Sequence, residues 1–362
     1  MKIAQLNTQL IELPLDKPIG TAIHSIHSVG CVLVSLVSDE GLVGEGYLFT
    51  INAVRLKAFD ETVRSFAPLV EGQDAEFIEA IWQNIWQSCN PIGQKGMTIG
   101  ALSAIDTALW DLHGKALNKP LHRLFGACRS RIKTYASGGL WLSQSIDELT
   151  AEAQLFIAQG FKSMKLRLGS GDWRDDVQRA AKLREAVGPE IEILSDANQS
   201  LNAKQAIRLG RALEALDIGW LEEPTPAHDL VGHAEVRAKL DMPIASGETE
   251  YTRFGMRDMI NAKACDILMP DLQRMGGLTE FRKVAALAAS YDMPISSHIF
   301  TEHSLSIAGS APNCISVEHM PWFAELFNEE MELIDGELVI PERPGCGFTF
   351  NPAAISKYRL SS

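Results

Sequence analysis

The 362-residue sequence is short of positive charge, with 33 Lys and Arg against 46 Asp and Glu and a formal net charge of −13. That balance excludes broad binding to nucleic acid or to an anionic membrane surface, which needs a basic face. An anionic small molecule can still bind, provided its pocket carries local cations or a metal. Cysteine is sparse: Cys31, Cys89, Cys128, Cys265, Cys314 and Cys346 are scattered singly, with neither zinc-type nor disulfide spacing. A reducing cytosol is therefore expected, and the cysteines in apolar, strand-like runs serve as small hydrophobes. No apolar run approaches the roughly 20 residues of a membrane span. Met1 to Pro18 alternates apolar and polar residues and lacks the apolar core of a signal peptide. No low-complexity linker interrupts the chain. These absences point to a soluble cytoplasmic globular protein, as do its 46% hydrophobic and 22% charged residues.

What is present divides at about residue 125. Ile3 to Leu13, Cys31 to Val37 and Gly41 to Tyr47 read as strands, the last two joined by the Asp39-Glu40-Gly41 turn. Helical periodicity follows over Ala53–Val70, Ala75–Gln87 and Ile99–Lys115. Residues 1–125 thus read as a small α+β domain. Residues 126–320 repeat a strand-then-helix unit. The strands expected are Ile132–Ser137, Ser163–Leu168, Ile191–Asp196, Ile218–Glu222, Pro243–Glu248, Ala264–Asp271, Pro294–His298 and Cys314–Glu318. Eight short strands with helix-length gaps favour a closed parallel barrel over an open sheet, with a reduced helix after the last. Residues 321–362, rich in proline and glycine, are expected to return and pack on the first domain.

Most of these strands end in a polar residue: Arg167, Asp196, Glu222, Glu248, Asp271, His298 and Glu318. In a barrel the strand C-termini converge on one face, so residues distant in sequence meet there. Asp196, Glu222 and Glu248 are spaced by 26 and 26 residues, one strand–helix unit each. Single acidic residues at strand ends are common solvated caps. Three on successive strands make a hard-oxygen site suited to Mg²⁺.

At these motifs the sequence resembles the enolase superfamily, and within it the mandelate racemase group, over nearly its whole length. The resemblance rests on Asn198-Gln199-Ser200-Leu201, Met269-Pro270-Asp271 with Gly276-Gly277, Ser296-Ser297-His298-Ile299-Phe300, Val317-Glu318 and the closing Ile340-Pro341, Pro344-Gly345 and Gly347. It implies a (β/α)7β-type modified TIM barrel with an N-terminal α+β capping domain. It also implies Mg²⁺ on Asp196, Glu222 and Glu248, a His298–Asp271 acid/base dyad, and Glu318 as a hydrogen-bond donor to a substrate carboxylate. The chemistry is removal of the proton beside that carboxylate. Removal puts a second negative charge on one group, and Mg²⁺ with a protonated Glu318 would stabilise the enediolate more than the ground state.

The second strand departs from the family pattern. It reads Lys165-Leu166-Arg167, where lysine commonly fills both polar positions. Lys165 is expected to neutralise the substrate carboxylate, and Arg167 stands where a second base would be. Deprotonating arginine, with a pKa of roughly 12.5–13.8, costs about 8 kcal/mol near pH 7. One-base dehydration of a sugar acid therefore ranks above two-base racemisation of a 2-hydroxy acid. A non-catalytic metal-stabilised binding protein ranks last.

By the same resemblance, Gly20–Gly30 and Leu48–Asn52 are loops closing over the barrel mouth. Their apolar Ile23 and Ile26 suit an aromatic hydroxy acid, whereas His24, His27, Thr50 and Asn52 suit a polyol chain. Ser137 and Trp141 near the first strand end, and Asn198 after the first metal motif, complete the candidate substrate contacts. The expected partners are a small hydroxy-acid substrate and further copies of the chain, as a homo-octamer or dimer.

Overall fold

The computed structural model describes residues 1–360. The chain opens as an antiparallel sheet of β1 (Ile3–Gly20), β2 (Ser25–Ser38) and β3 (Val43–Ile51), in that order. Both supposed loops prove to be largely strand. β1 and β2 stay paired to Gly20↔Ser25, and β3 pairs with β2 as far as Ile51↔Val29. Only the four residues between the first two strands turn, closed by the Thr21 N–H donating to the His24 carbonyl at 2.9 Å. Pro14 and Pro18 hid the first strand's length. A register shift between Pro14 and Ile19 accommodates them, and β1 is an edge strand, which tolerates proline.

Helices Leu56–Ser65, Ala67–Val70, Ile78–Ser88 and Met97–Ala116 follow. The last is buried over most of its surface, because it lies between sheet and barrel. Gly44 and Gly46 of β3 let it approach: a Cβ would fall 2.1 Å from the Ala108 carbonyl oxygen at the first and 2.3 Å from that of Ala104 at the second.

All eight expected barrel strands are present. β4 (Arg131–Ala136), β5 (Ser163–Arg167), β6 (Glu192–Asp196), β7 (Ile218–Glu222), β8 (Ile244–Ser246), β9 (Ile267–Leu268), β10 (Ile295–Ser297) and β11 (Cys314–His319) pair in parallel, and β11 closes onto β4. Local chemistry starts the helices between them. Ser145 with Glu148 and Asn202 with Gln205 form capping boxes, and Asp172 and Asp229 cap two others. After β11 a short 3₁₀ turn, Pro321–Leu326, stands where an eighth helix would be. Tyr135, Leu194, Trp220, Ala245, Ile267 and Met269 fill the barrel interior. The closing segment lays a hairpin, β12 (Leu333–Ile334) and β13 (Glu337–Val339), antiparallel against β4. It also meets the first domain: the Cys346 N–H donates to Asp111 Oδ1 at 2.8 Å, the Phe350 N–H to Glu45 Oε2 at 3.3 Å, and Arg359 bridges to Ile11. Among the described residues no helix is long and apolar enough to cross a membrane.

The cap is anchored beside the exit of β9. Trp82 Nε1 donates to the Gly276 carbonyl at 2.8 Å and Ser103 Oγ to that of Leu272 at 2.8 Å. Buried Asp106 accepts from the Thr279 N–H at 2.9 Å and its hydroxyl at 2.6 Å. Asp106→Ala should cost about 2–4 kcal/mol, since it orphans a buried amide as well as removing both bonds. Burial pushes the Asp106 carboxyl up to about 7, against the Thr279 hydrogen bonds. Its folded pKa thus lies above its unfolded value, so its contribution is complete below the unfolded pKa and is lost as pH rises through about 7. Urea midpoints of the two proteins should differ more at pH 5 than at pH 8. An equal difference at both would contradict the assignment.

Candidate active site

The barrel mouth brings the strand-end residues together. His298, just past β10, donates from Nδ1 to Asp271 Oδ2 at 2.8 Å, and its Nε2 lies 3.3 Å from Glu248 Oε2. Asp271 is itself fixed, because its Oδ1 accepts from the Arg274 N–H at 2.8 Å. The next two residues, Ile299 and Phe300, have φ of 42° and 47°, left-handed backbone that a β-branched residue seldom adopts. That bend aims the Ile299 N–H at Glu318 Oε2, 2.7 Å away.

Glu318 also accepts from Ser137 Oγ at 2.5 Å and sits 2.8 Å from Lys165 Nζ. Burial would raise its carboxyl, but Lys165, His298 and Arg167 hold it well below the usual carboxylate range. Every neighbour is a donor, so Glu318 stands as an acceptor here, where the resemblance implies a donor to a substrate carboxylate. Lys165 lies beneath the mouth, 1% exposed, and donates to Glu222 Oε1 at 2.8 Å. Burial and Arg167 lower its pKa, but Glu222, Glu318 and Asp196 outweigh them. Arg167 pairs with Asp196, donates to Ser137 Oγ at 2.9 Å and stands 4.9 Å from the Trp141 ring centroid. Its burial is overcome by Asp196, Glu318 and Glu222, which raise its pKa, so it stands here as a cation. For His298, burial lowers the pKa, but Glu248, Asp271 and Glu318 push it up to about 9.

Of the candidate substrate contacts, His24, Ile26, Trp141 and Asn198 line the pocket above these groups. Four others do not. Ser137 is buried behind the wall, holding Glu318 and Arg167. Asn52 accepts from the His27 N–H at 2.7 Å and donates to the Ser25 carbonyl at 2.9 Å. It ties the hairpin ends together and meets no ligand space. The His27 ring turns to Ser25 Oγ at 3.4 Å, and Ile23 is 50% exposed on the turn. The pairing of β1 with β2 explains these misplacements, because strand alternation sends neighbouring side chains to opposite faces. The pocket also takes in Thr21, Phe49, Ile51, Arg274, Met320 and Trp322, which the sequence reading missed. Reading Leu48–Ile51 as a strand would have placed Phe49 and Ile51 on one face. Met320 and Trp322 follow β11 directly, at the end where a barrel's site lies.

Asp196 and Glu222 are register partners at the ends of β6 and β7, and Glu248 lies just past β8. As they stand, each carboxylate is turned to a cation of the protein: Asp196 to Arg167, Glu222 to Lys165, Glu248 to His298. Among the described residues no three His, Cys, Asp or Glu side chains are drawn into a metal-holding group. The donor set nevertheless fits a hard divalent cation. Burial pushes the Glu222 carboxyl up to about 8, and repulsion from Asp196, Glu248 and Glu318 adds to it against Lys165. Asn198, whose N–H donates to Asp196 Oδ1 at 2.8 Å, leaves its buried Oδ1 without a partner. Excess carboxylate and an orphaned oxygen are what a bound cation would satisfy.

Comparison with known proteins agrees with this architecture. Residues 6–126 match the mandelate racemase / muconate lactonizing enzyme N-terminal domain, and residues 148–354 match the enolase C-terminal domain-like family. L-talarate/galactarate dehydratase of Salmonella typhimurium is 32% identical over 359 residues, covering 98% of this chain and 90% of that protein. The 3,6-anhydro-alpha-L-galactonate cycloisomerase of Streptomyces coelicolor is 33% identical over 347 residues, covering 95% and 96%. The crystal structure of the Salmonella dehydratase liganded with Mg and L-lyxarohydroxamate superposes with a TM-score of 0.95 at 31% identity, over 99% of this chain and 93% of that one. The chain therefore belongs to the mandelate racemase/muconate lactonizing enzyme family of the enolase superfamily.

Proposed function

We propose that this protein is a Mg²⁺-dependent acid-sugar dehydratase, which converts an aldonate or aldarate to the 2-keto-3-deoxy acid. The observation that carries the reading is the one pocket histidine paired with a carboxylate, His298 on Asp271. His298 faces the pocket through Nε2, while Arg167, three strands round the barrel, is held as a cation by Asp196. Asp271 accepts the hydrogen bond from His298 Nδ1–H and so holds the ring with Nε2 toward the pocket. Mg²⁺ on Glu248 would take up much of the charge that raises the His298 pKa, and the neutral imidazole is then the base at Nε2. Nε2 takes the α-proton, and the C–H electron pair moves into the carboxylate to form an enediolate. As that pair returns, the bond from the β-carbon to its hydroxyl breaks. His298 gives its proton to the departing oxygen, water leaves, and the enol becomes the keto acid. Lys165 and Arg167 lower the cost of the negative charge developing between them. Mg²⁺ bound by Asp196, Glu222 and Glu248 supplies further positive charge against the second charge on the carboxylate.

Racemisation of a 2-hydroxy acid needs a base on each face of the α-carbon and remains the alternative. The decisive screen incubates purified protein and Mg²⁺ with acid sugars and 2-hydroxy acids. It scores keto-acid release separately from deuterium exchange at the α-carbon. Keto acid from at least one sugar acid is expected, whereas exchange without release from any would select racemisation.

Two further outcomes follow from the same reading. Arg167→Lys should introduce exchange at the second face, because a lysine beside Lys165 can lose its proton where arginine cannot. Proton NMR in D₂O with both enantiomers checks it, and unchanged one-sided exchange would count against this placement of Arg167. The protein should also be a cytosolic homo-oligomer, an octamer or dimer. A monomeric mass by light scattering at micromolar concentration would refute that assembly.

A further inference from the structure

One wall of the pocket is apolar. Ile26, Phe49, Ile51, Trp141, Met320 and Trp322 line it. The Trp141 and Trp322 indoles are stacked, centroids 6.1 Å apart and planes 12° from parallel, and Phe49 meets Trp322 edge-on at 6.4 Å. Because Trp141 also carries the Arg167 guanidinium on its ring, the aromatic surface runs unbroken from the reacting end toward the cap.

The polar complement at the cap end is thin. Beyond Asn198 and the charged groups of the reacting end, the lining offers Thr21 and His24. Arg274 stands at the reacting end, where its guanidinium donates to the Glu248 carbonyl at 2.5 Å. Thr21 Oγ1 accepts from the N–H groups of Ile23 and His24 at 3.3 and 3.0 Å. No lysine lines this pocket, and both of its arginines belong to the reacting end, Arg167 bonded to Ser137 and Arg274 to the Glu248 carbonyl. A second carboxylate against Trp322 would be desolvated for little return. A chain of net charge −13 offers it no general attraction either. Hydroxyls along that wall would likewise lose their water and find few partners.

We infer that the substrate is a sugar acid with one carboxylate, whose far end turns an apolar face to Trp322 and Trp141. That face is a terminal methyl group or the C–H side of a ring, and Trp322 determines the preference. This inference rests on the dehydratase reading above. The test gives the unmodified enzyme with Mg²⁺ four acids matched at C2 and C3: an aldarate, an aldonate ending in hydroxymethyl, a 6-deoxyaldonate and an anhydro-ring aldonate. α-Deuterium exchange, keto-acid release and calorimetric affinity are measured separately. One of the two apolar-ended acids should exceed the aldarate and the hydroxymethyl acid by at least about tenfold in kcat/KM. Trp322→Ala should narrow that margin chiefly through the KM of the apolar-ended acid, and Trp322→Phe should keep part of it. An aldarate or hydroxymethyl aldonate handled as well as the apolar-ended acids overturns the inference. Exchange without keto-acid release from any of the four overturns the dehydratase reading instead, and exchange rates then rank the acids. Where neither reaction proceeds, affinities rank them. If Trp322→Ala fails to fold by circular dichroism, the ranking by the unmodified enzyme decides.

Discussion

Replacing His298 by asparagine should lower turnover by about 10³–10⁴-fold and abolish α-proton exchange, because it removes the base while leaving a group of similar size. General base catalysis is worth about that much, and no second histidine of the pocket is paired with a carboxylate as His298 is with Asp271, while Arg167 is paired with Asp196. The substitution should leave the fold unchanged, because the His298 ring bonds only to Asp271 and faces Glu248 at the mouth. Circular dichroism and single-turnover measurements check both parts. Residual exchange near the unmodified rate would mean that another group takes the proton.

The second large effect concerns the metal carboxylates. Asp196→Asn, Glu222→Gln or Glu248→Gln should each remove activity and abolish the rise in melting temperature that Mg²⁺ gives the unmodified protein. At a Mg²⁺ concentration of about 100 times Kd, binding adds about 2.7 kcal/mol to stability. The metal-free variants should keep the fold by circular dichroism, although Asp196→Asn and Glu222→Gln each take a counter-charge from a buried cation, Arg167 and Lys165 respectively. A Mg²⁺-induced shift that survives in all three variants, or full turnover after EDTA treatment, would overturn the metal assignment.

The barrel was legible because most of its strands are short apolar runs with a polar residue at or just past the end, separated by helix-length gaps. Convergence of strand ends then placed Asp196, Glu222, Glu248, Asp271, His298 and Glu318 in one site before any coordinates. The cap was less legible. Pro14 and Pro18 interrupt the alternation of β1, so a hairpin reaching Gly20↔Ser25 read as an open loop, and His27, Asn52 and Ile23 were assigned to a pocket they do not line. Ionisation was not legible either. The charge on Glu318 depends on distances to Lys165, Ser137 and Ile299, partners up to 181 residues away in sequence and brought together only by barrel closure. Trp322 was passed over because it follows the last strand, where sequence reading looked for packing and not for substrate.

Proton NMR in D₂O on the unmodified enzyme with Mg²⁺, using both enantiomers of a substrate or slow analogue, tests the one-base account most directly. His298 can reach only one face of the α-carbon, so exchange should occur for one configuration, accompanied by keto-acid release. Comparable exchange of both configurations would contradict the account, make Arg167 a base despite its pairing with Asp196, and put racemisation first.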